Sequence, residues 1–414
     1  MGFIFETLYI LIISGCFIYL LNIVSNSRNG WHYLKLDDEK LPLVSIIVPT
    51  LEEEENIAKC LASLTTLKYP KYEIILVDGG SKDKTTEIAE EFGVDIIVDE
   101  NLPLGWIGKS YGCHVGYLAA KGDIFLFTDA DTEHTSDSLR ITVEHLLSTE
   151  AKLFSMFPYQ KAEKWFEYLV GFMYFLSYLG GGPRNNINNP FDKSAFMASG
   201  QYMMFTKAGY EKLGGHMAIN SSLVEDVALA KLCKDKEQKL FFVDHTKLVS
   251  TRMYPGKFID FFRAFKRAIW GGINTLPHWR VMMIIMWLIY CLFAPYFLVL
   301  SIIQPSSWMV WDFSVGIMVN SVLYLTWGIA YYLYWRERGR NNILAVIFYP
   351  IAMAIVITII LLSLLNGALG NSVSWRNRYY STKQGKNLSS SETGVKTLRD
   401  TKKKETILTK FNQP

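Results

Sequence analysis

The sequence is poor in cysteine and has no cysteine pattern. Cys16, Cys60, Cys113, Cys233 and Cys291 are scattered, odd in number and never spaced as Cys-x-x-Cys. Neither a disulfide framework nor a cysteine-based zinc site is readable in such a set. An excess of charge is also missing: 42 Lys and Arg face 39 Asp and Glu, a net +3 over 414 residues. That small balance is spread along the chain, and no nucleic acid is expected as a partner. Self-similarity at a period of about 20–50 residues is absent too, which excludes a solenoid.

Charge is lacking altogether from residues 8–24, which are almost wholly apolar. A cleaved signal peptide would need a basic segment before this run and an Ala-x-Ala site after it. Only Glu6 precedes it, with no Lys or Arg, and no such site comes after. Residues 1–26 therefore read as an uncleaved N-terminal transmembrane anchor. Arg28 and Lys35 come next, and the positive-inside rule then places the adjoining polar block in the cytoplasm. Three further apolar segments, near 281–303, 313–335 and 343–366, are each long enough to cross a bilayer as a helix. The expected location is the cell membrane, multi-pass, with a cytoplasmic soluble block at about 25–280.

Within that block, apolar runs at 43–48, 73–77 and 123–128 end at Pro49, Asp78 and Asp129. Continuous runs of this kind suit strands buried on both faces of a parallel sheet. Ile57, Ala58, Leu61 and Leu64 recur at helical spacing within 53–66, and 83–91 reads as a second helix with a Ser cap. The fold class is α/β, an open and mostly parallel sheet. Ligands in such sheets lie beyond the carboxyl ends of the strands, where Pro49, Thr50, Asp78 and Asp129 all fall.

Three acidic motifs occupy those ends. Asp129-Ala130-Asp131 succeeds a buried strand, and two carboxylates so spaced can hold Mg²⁺ or Mn²⁺ beside a diphosphate. The ordinary alternative is a solvated turn. Asp78, in Val77-Asp78-Gly79-Gly80-Ser81, can accept from a uracil imide, or simply cap a βα turn. Glu52 to Glu55 read mostly as first-turn residues of a helix, favoured by its dipole, with Glu53 also placed to face a nucleotide. Glu225-Asp226 opens an apolar helical run. Either it is a helix start, or Asp226 is the base that takes an acceptor proton in a one-step, inverting transfer. Lys109, in Gly105-Trp106-Ile107-Gly108-Lys109-Ser110, can meet a diphosphate or sit on the surface. Gly200 and Gln201 are placed at a donor–acceptor junction. His245 reads as a structural histidine more readily than as a third metal ligand.

The order Pro-Thr-x-x-Glu-Glu, Val-Asp-x-x-Ser-x-Asp-x-Thr, Asp-x-Asp, Glu-Asp resembles glycosyltransferase family 2, over residues 43 to about 270. The resemblance implies a GT-A fold, a nucleotide-sugar donor and a divalent metal. It places Asp78 and Asp129 on the nucleotide, Asp131 on the metal and Asp226 as the base; Pro49, Thr50, Glu53, Lys109, Ala130, Gly200 and Gln201 are expected beside them at the donor, and Glu225 beside Asp226 in catalysis. Glu52 departs from the family, which usually has Asn there. Gly-Trp-x-Gly-Lys at 105–109, Gly214-Gly215-His216, Arg252-Met253-Tyr254 and Trp375-Arg376-Asn377-Arg378-Tyr379 are similar to a narrower group, the carotenoid-acid and hopanoid-associated membrane glycosyltransferases. A lipid acceptor is then expected.

The domain boundaries expected are 1–26 for the anchor, 40–256 for the catalytic domain, 257–272 for an interfacial amphipathic helix, 281–366 for the C-terminal spans and 381–414 for a disordered basic tail. Residues 257–270 set aromatic against basic side chains, as a helix lying in a membrane surface does, or a helix packed on its domain. The aromatic stretch 164–180 reads as core or as a lipid-tail contact, and 180–189 as a mobile loop. Residues 335–340 read as cytoplasmic from their arginines, whereas a third full span would put the basic tail outside. A polysaccharide synthase is the alternative enzyme, with only a partial Gln-x-x-Arg-Trp echo at 267–270. A silent scaffold has no need of four intact carboxylates. A transporter would carry an intramembrane charge cluster, which is absent.

Overall fold

The computed structural model describes residues 36–243, 246–303, 313–340, 344–368, 373–375, 378–380 and 396–397. The expected anchor at 1–26, His245 and nearly all of the tail lie outside the described residues.

The first apolar run becomes strand β1, Val44–Thr50. The second and third become β2, Tyr72–Asp78, and β4, Ile124–Thr128. Helix α1, Ile57–Leu64, joins β1 to β2, and α2, Thr85–Glu90, leads to β3, Asp95–Val98. Helix α3, Gly108–Ala119, precedes β4. The chain continues through β5, Thr132–His134, α4, Ser138–Ser148, β6, Leu153–Met156, and β7, Tyr159–Gln160. Helices α5, Val170–Gly181, and α6, Arg184–Asn188, lead to β8, Tyr202–Thr206. Then come α7, Lys207–Leu213, α8, Glu225–Asp235, β9, Leu240–Val243, and β10, Val249–Thr251.

The main sheet runs β3-β2-β1-β4-β8-β6-β9. Its β3–β2, β2–β1, β1–β4 and β6–β9 pairs are parallel, and β8 is antiparallel to both neighbours. Both faces are covered, which is why the strand sequences run apolar without alternation. Ile46, Val48 and Leu126 enter one core, and Ile47, Phe125 and Phe127 the other. A small sheet, β5-β10-β7, stands beside the end of β4. β1 lies where strand order reverses, since β2 and β3 go to one side and β4 to the other. The crevice at that reversal is where α/β sheets bind ligands.

Four long helices follow: α9, Phe258–Thr275, α10, His278–Ile303, α11, Phe313–Trp335, and α12, Leu344–Ala368. Among the described residues one stretch, Ile347–Leu365 with a mean hydropathy of 2.6, is long and apolar enough to cross a membrane. The helices share a core with the sheet domain. Phe172 of α5 stacks on Tyr331 of α11 at 4.3 Å, and Phe175 meets Tyr334 edge-on. The aromatic stretch at 164–180 is thus largely core.

Two expectations change. The stretch 180–189 is largely helical, because α5 extends to Gly181 and α6 begins at Arg184, with Arg184 and Ile187 buried. The aromatic face of α9 is turned inward. Phe261 and Phe265 are fully buried, Phe261 against Phe166 and Tyr254, while Ser363 of α12 donates to the carbonyl of Lys266. The domain covers these two rings, whereas Phe258 and Phe262 are half-buried and Ile259 is exposed.

Candidate active site

The C-terminal ends of β1 and β2 are in register, Thr50 beside Asp78, and Asp129 comes directly after β4. Above them opens a cleft of about 860 Å³. Pro49, Thr50, Glu53, Lys109, Asp129, Ala130, Asp131, Gln201 and Glu225 all line it. Asp78, Gly200 and Asp226 stand behind these residues.

Asp78 is fully buried, and its own loop occupies its carboxylate. One oxygen accepts from the amides of Gly80 at 2.9 Å and Ser81 at 2.7 Å. The other accepts from the hydroxyls of Thr50 at 3.1 Å and Ser81 at 2.5 Å. Here it shapes the turn, the capping alternative, and it presents no free oxygen to a base. Ser81 is committed to Asp78 and to the amide of Glu52, so it does not cap α2; the Asp83 carboxylate accepts from the Thr85 amide instead.

The glutamate run also differs from expectation. α1 begins only at Ile57, so Glu52 to Glu55 lie in the loop before it. Glu52 Oε1 accepts from the amide of Lys82 at 2.9 Å, and Glu54 Oε2 from that of Lys84 at 3.2 Å. They cap the neighbouring loop rather than their own helix. Glu52 has a φ of 58°. Asn tolerates that left-handed region far better than Glu, a physical reason for Asn at this position.

Lys109, in the first turn of α3, is held between two carboxylates. Its Nζ lies 2.6 Å from Asp129 Oδ1 and 2.9 Å from Glu225 Oε1. Burial works against its charge, but Asp129 and Glu225 outweigh it and raise its pKa well above the usual lysine value. Burial also pushes Glu225 up, and Lys109 more than reverses this, holding Glu225 below the usual range. Asp129 stays raised, because burial exceeds the help from Lys109. The lysine expected on a diphosphate is here the counter-ion of the site's own acids.

Asp226 is pushed up to about 7, by burial first and by the adjacent Glu225 charge second. Its Oδ2 accepts from the Gly200 amide at 2.8 Å, and its Oδ1 from the Val227 amide at 2.7 Å. A Cβ on Gly200 would lie 2.8 Å from both Glu225 Oε1 and Lys109 Nζ, so a larger residue there would push the ends of these two side chains aside. On the far side, Gly271 of α9 rests against Val224, just before Glu225.

Asp131 Oδ1 is buried without a hydrogen-bond partner. Its pKa is pushed up to about 8, by burial first and then by the charges of Asp129 and Glu53. No group of three or more His, Cys, Asp or Glu among the described residues is arranged to hold a metal. One clear carboxylate nevertheless fits a hard cation that takes its other ligands from phosphate and water.

Sequence reasoning misses part of the cleft wall. Tyr254, Arg263 and Arg267 line it. The two arginines carry a signal, the basic face of α9, but that face reads as readily toward lipid headgroups as toward a cleft. His216, whose Nδ1 is 2.7 Å from the Tyr210 hydroxyl, is fully buried and its pKa is lowered to about 3 by burial.

Residues 45–214 match the family described as Glycosyl transferase family 2. The 4,4'-diaponeurosporenoate glycosyltransferase of Staphylococcus haemolyticus is 28% identical over 66% of this chain and 73% of its own length. That of Staphylococcus aureus (strain USA300) is 23% identical over 82% of this chain and 88% of its own. Among solved structures, the mannosyltransferase PcManGT from Pyrobaculum calidifontis, in complex with GDP-Man and Mn²⁺, has a TM-score of 0.51 at 15% identity. The match covers 88% of this chain and 99% of that one, a likeness of fold.

Proposed function

Since residues 45–214 form a family 2 glycosyltransferase domain, this chain is a glycosyltransferase, and we propose that it transfers a hexose with inversion from a UDP-sugar to a membrane lipid. The acceptor is a carotenoid acid or another terpenoid lipid, the class named for its relatives. The observation that carries this reading is the wide acidic cleft at the strand ends, with Asp226 held behind its wall by the Gly200 amide at 2.8 Å.

The donor lies across β1, β2 and β4, between Thr50, Asp129 and Gln201. The acceptor approaches from the side of α9, where Val224 meets Gly271. Its oxygen attacks the anomeric carbon as the bond to the diphosphate breaks. An acceptor hydroxyl gives its proton to Asp226, whose affinity near neutrality suits a general base. An acceptor carboxyl is already the anion. Asp131 would hold a Mg²⁺ or Mn²⁺ ion, whose contribution is to stabilise the departing diphosphate. Lys109, released from Asp129 or Glu225, adds a second positive charge there.

The setting is the cell membrane, multi-pass, with the catalytic domain cytoplasmic. Met282, Ile302, Met318, Val322, Ile347 and Leu361 on α10 to α12 are each more than half exposed. Exposed apolar side chains of this kind, beside a helix long enough to span, support lipid cover. Residues 335–340 join the sheet domain, the amide of Gln160 donating to the carbonyl of Arg338 at 2.8 Å, which supports that loop lying on the catalytic side.

The test is to incubate membranes with radiolabelled UDP- and GDP-sugars, with and without EDTA, and follow label into organic-extractable lipid. UDP-sugar label in lipid, lost with EDTA, is expected. Label confined to polymer would overturn the lipid acceptor, and EDTA-insensitive transfer the metal.

A further inference from the structure

The cleft is tied to the helical part of the chain by a buried polar chain that begins beside Asp131. Thr251 of β10 pairs with Thr132, next to Asp131, and its hydroxyl is near enough to draw the Asp131 pKa down against stronger opposing effects. Gln201 Nε2 donates to that hydroxyl at 3.4 Å. Gln201 Oε1 accepts from the Tyr174 hydroxyl at 3.3 Å and from Gln160 Nε2 at 3.4 Å, and Gln160 Nε2 also donates to Tyr174. Thr251, Gln201, Tyr174 and Gln160 are all buried. Gln160 Oε1 is left without a partner. Such a network, only partly satisfied in low dielectric, is a poor way to stabilise a core compared with apolar residues of the same size.

The far end of the chain is the turn after α11. Gln160 is bridged in parallel to Gly339, its amide donating to the Arg338 carbonyl and its carbonyl accepting from the Arg340 amide, each at 2.8 Å. Residues 338–340 thus add an edge to the small sheet, in which Thr251 pairs with Gln160 on one side and Thr132, next to Asp131, on the other. Trp335 packs on Tyr174 with ring centroids 5.7 Å apart and donates from Nε1 to the Arg340 carbonyl at 3.1 Å. A Cβ on Gly339 would lie 2.4 Å from the Trp335 ring, so this seat needs glycine.

We propose that the turn at 338–340 sets the position of the Asp131 carboxylate through Gln160, Gln201 and Thr251, making Gln160 and Gly339 positioning residues for the divalent cation and its nucleotide. This rests on the reading of Asp131 as the metal carboxylate. Neither Gln160 nor Gly339 lines the cleft, so their effect must pass through the relay. Partners that orient a metal ligand typically change metal affinity about 10- to 100-fold when removed.

Calorimetric titration of Mn²⁺ with UDP into detergent-solubilised full chain tests this without turnover. Gln160→Met and Gly339→Ala should each weaken Mn²⁺ binding roughly 10-fold while UDP binding without metal stays as in the wild type. Asp131→Asn should abolish the Mn²⁺ response. If Asp131→Asn binds Mn²⁺ as the wild type does, the reading of Asp131 fails and the relay with it. If Asp131→Asn alone changes Mn²⁺ binding, the relay is wrong and Asp131 keeps its role. Equal weakening of UDP binding with and without metal would mark a merely structural effect and also overturn the relay.

Discussion

Lys109 Nζ stands 2.6 Å from Asp129 Oδ1, a contact that ties the first turn of α3 to the end of β4 across the cleft. With Glu225 on its other side, this one ammonium balances two carboxylates. Replacing it by Met leaves both acids without their cation. We expect Lys109→Met to destabilise the protein by about 2 kcal/mol, less than for a fully enclosed pair because the cleft is wet. Transfer should fall with it. Denaturant titration and initial rates check the two effects, and an unchanged midpoint would refute the counter-ion role.

Asp226 must be ionised to accept a proton. With its pKa pushed up to about 7, kcat/KM for a hydroxyl acceptor should rise as pH increases through 7 and level off above. Asp226→Asn should lower transfer about 10²- to 10⁴-fold while UDP still binds. A profile flat below 7, with only a small effect of the substitution, would instead assign the nucleophile to an acceptor carboxylate.

Asp131 titrates higher still, at about 8 against an ordinary 3.8. An acid whose folded pKa is raised binds its proton more tightly folded than unfolded, so its stabilising contribution is present at low pH and lost as pH climbs from about 4 to about 8. A metal must displace that proton, so Mn²⁺ should bind more tightly as pH rises, reaching a plateau near 8. Melting temperatures with and without Mn²⁺ should diverge over that window. A pH-independent Mn²⁺ effect would remove Asp131 from the metal shell.

Gly200→Ala places a methyl 2.8 Å from Lys109 Nζ and Glu225 Oε1. The lysine end can move, so the fold should survive. The displaced ammonium and acids should cost transfer at least about tenfold, since small misplacements of catalytic groups carry large rate penalties. Wild-type rates in Gly200→Ala would show that the acids tolerate the shift.

Much of this site is legible in one dimension because strand ends are. An apolar run that stops at Asp129, or at Thr50, announces both a buried parallel strand and the edge where ligands gather. The glutamates at 52–55 mislead because their amide partners at Lys82 and Lys84 lie about 30 residues on, in a loop brought close only by β1–β2 pairing. The rings of α9 mislead for a similar reason. Amphipathicity shows that a helix has a face to bury, but not whether lipid or protein covers it.

The sequence by itself determined the α/β class and the order of the acidic motifs, because local patterning and strand termination are local physics. Only the tertiary structure decided how those acids are charged. Lys109 between Asp129 and Glu225, Gly200 against Asp226, and the path from Thr251 through Gln201 to Gln160 and Gly339 all join residues far apart in the chain. Burial and through-space charge set their proton affinities, and neither can be read until the chain has closed on itself.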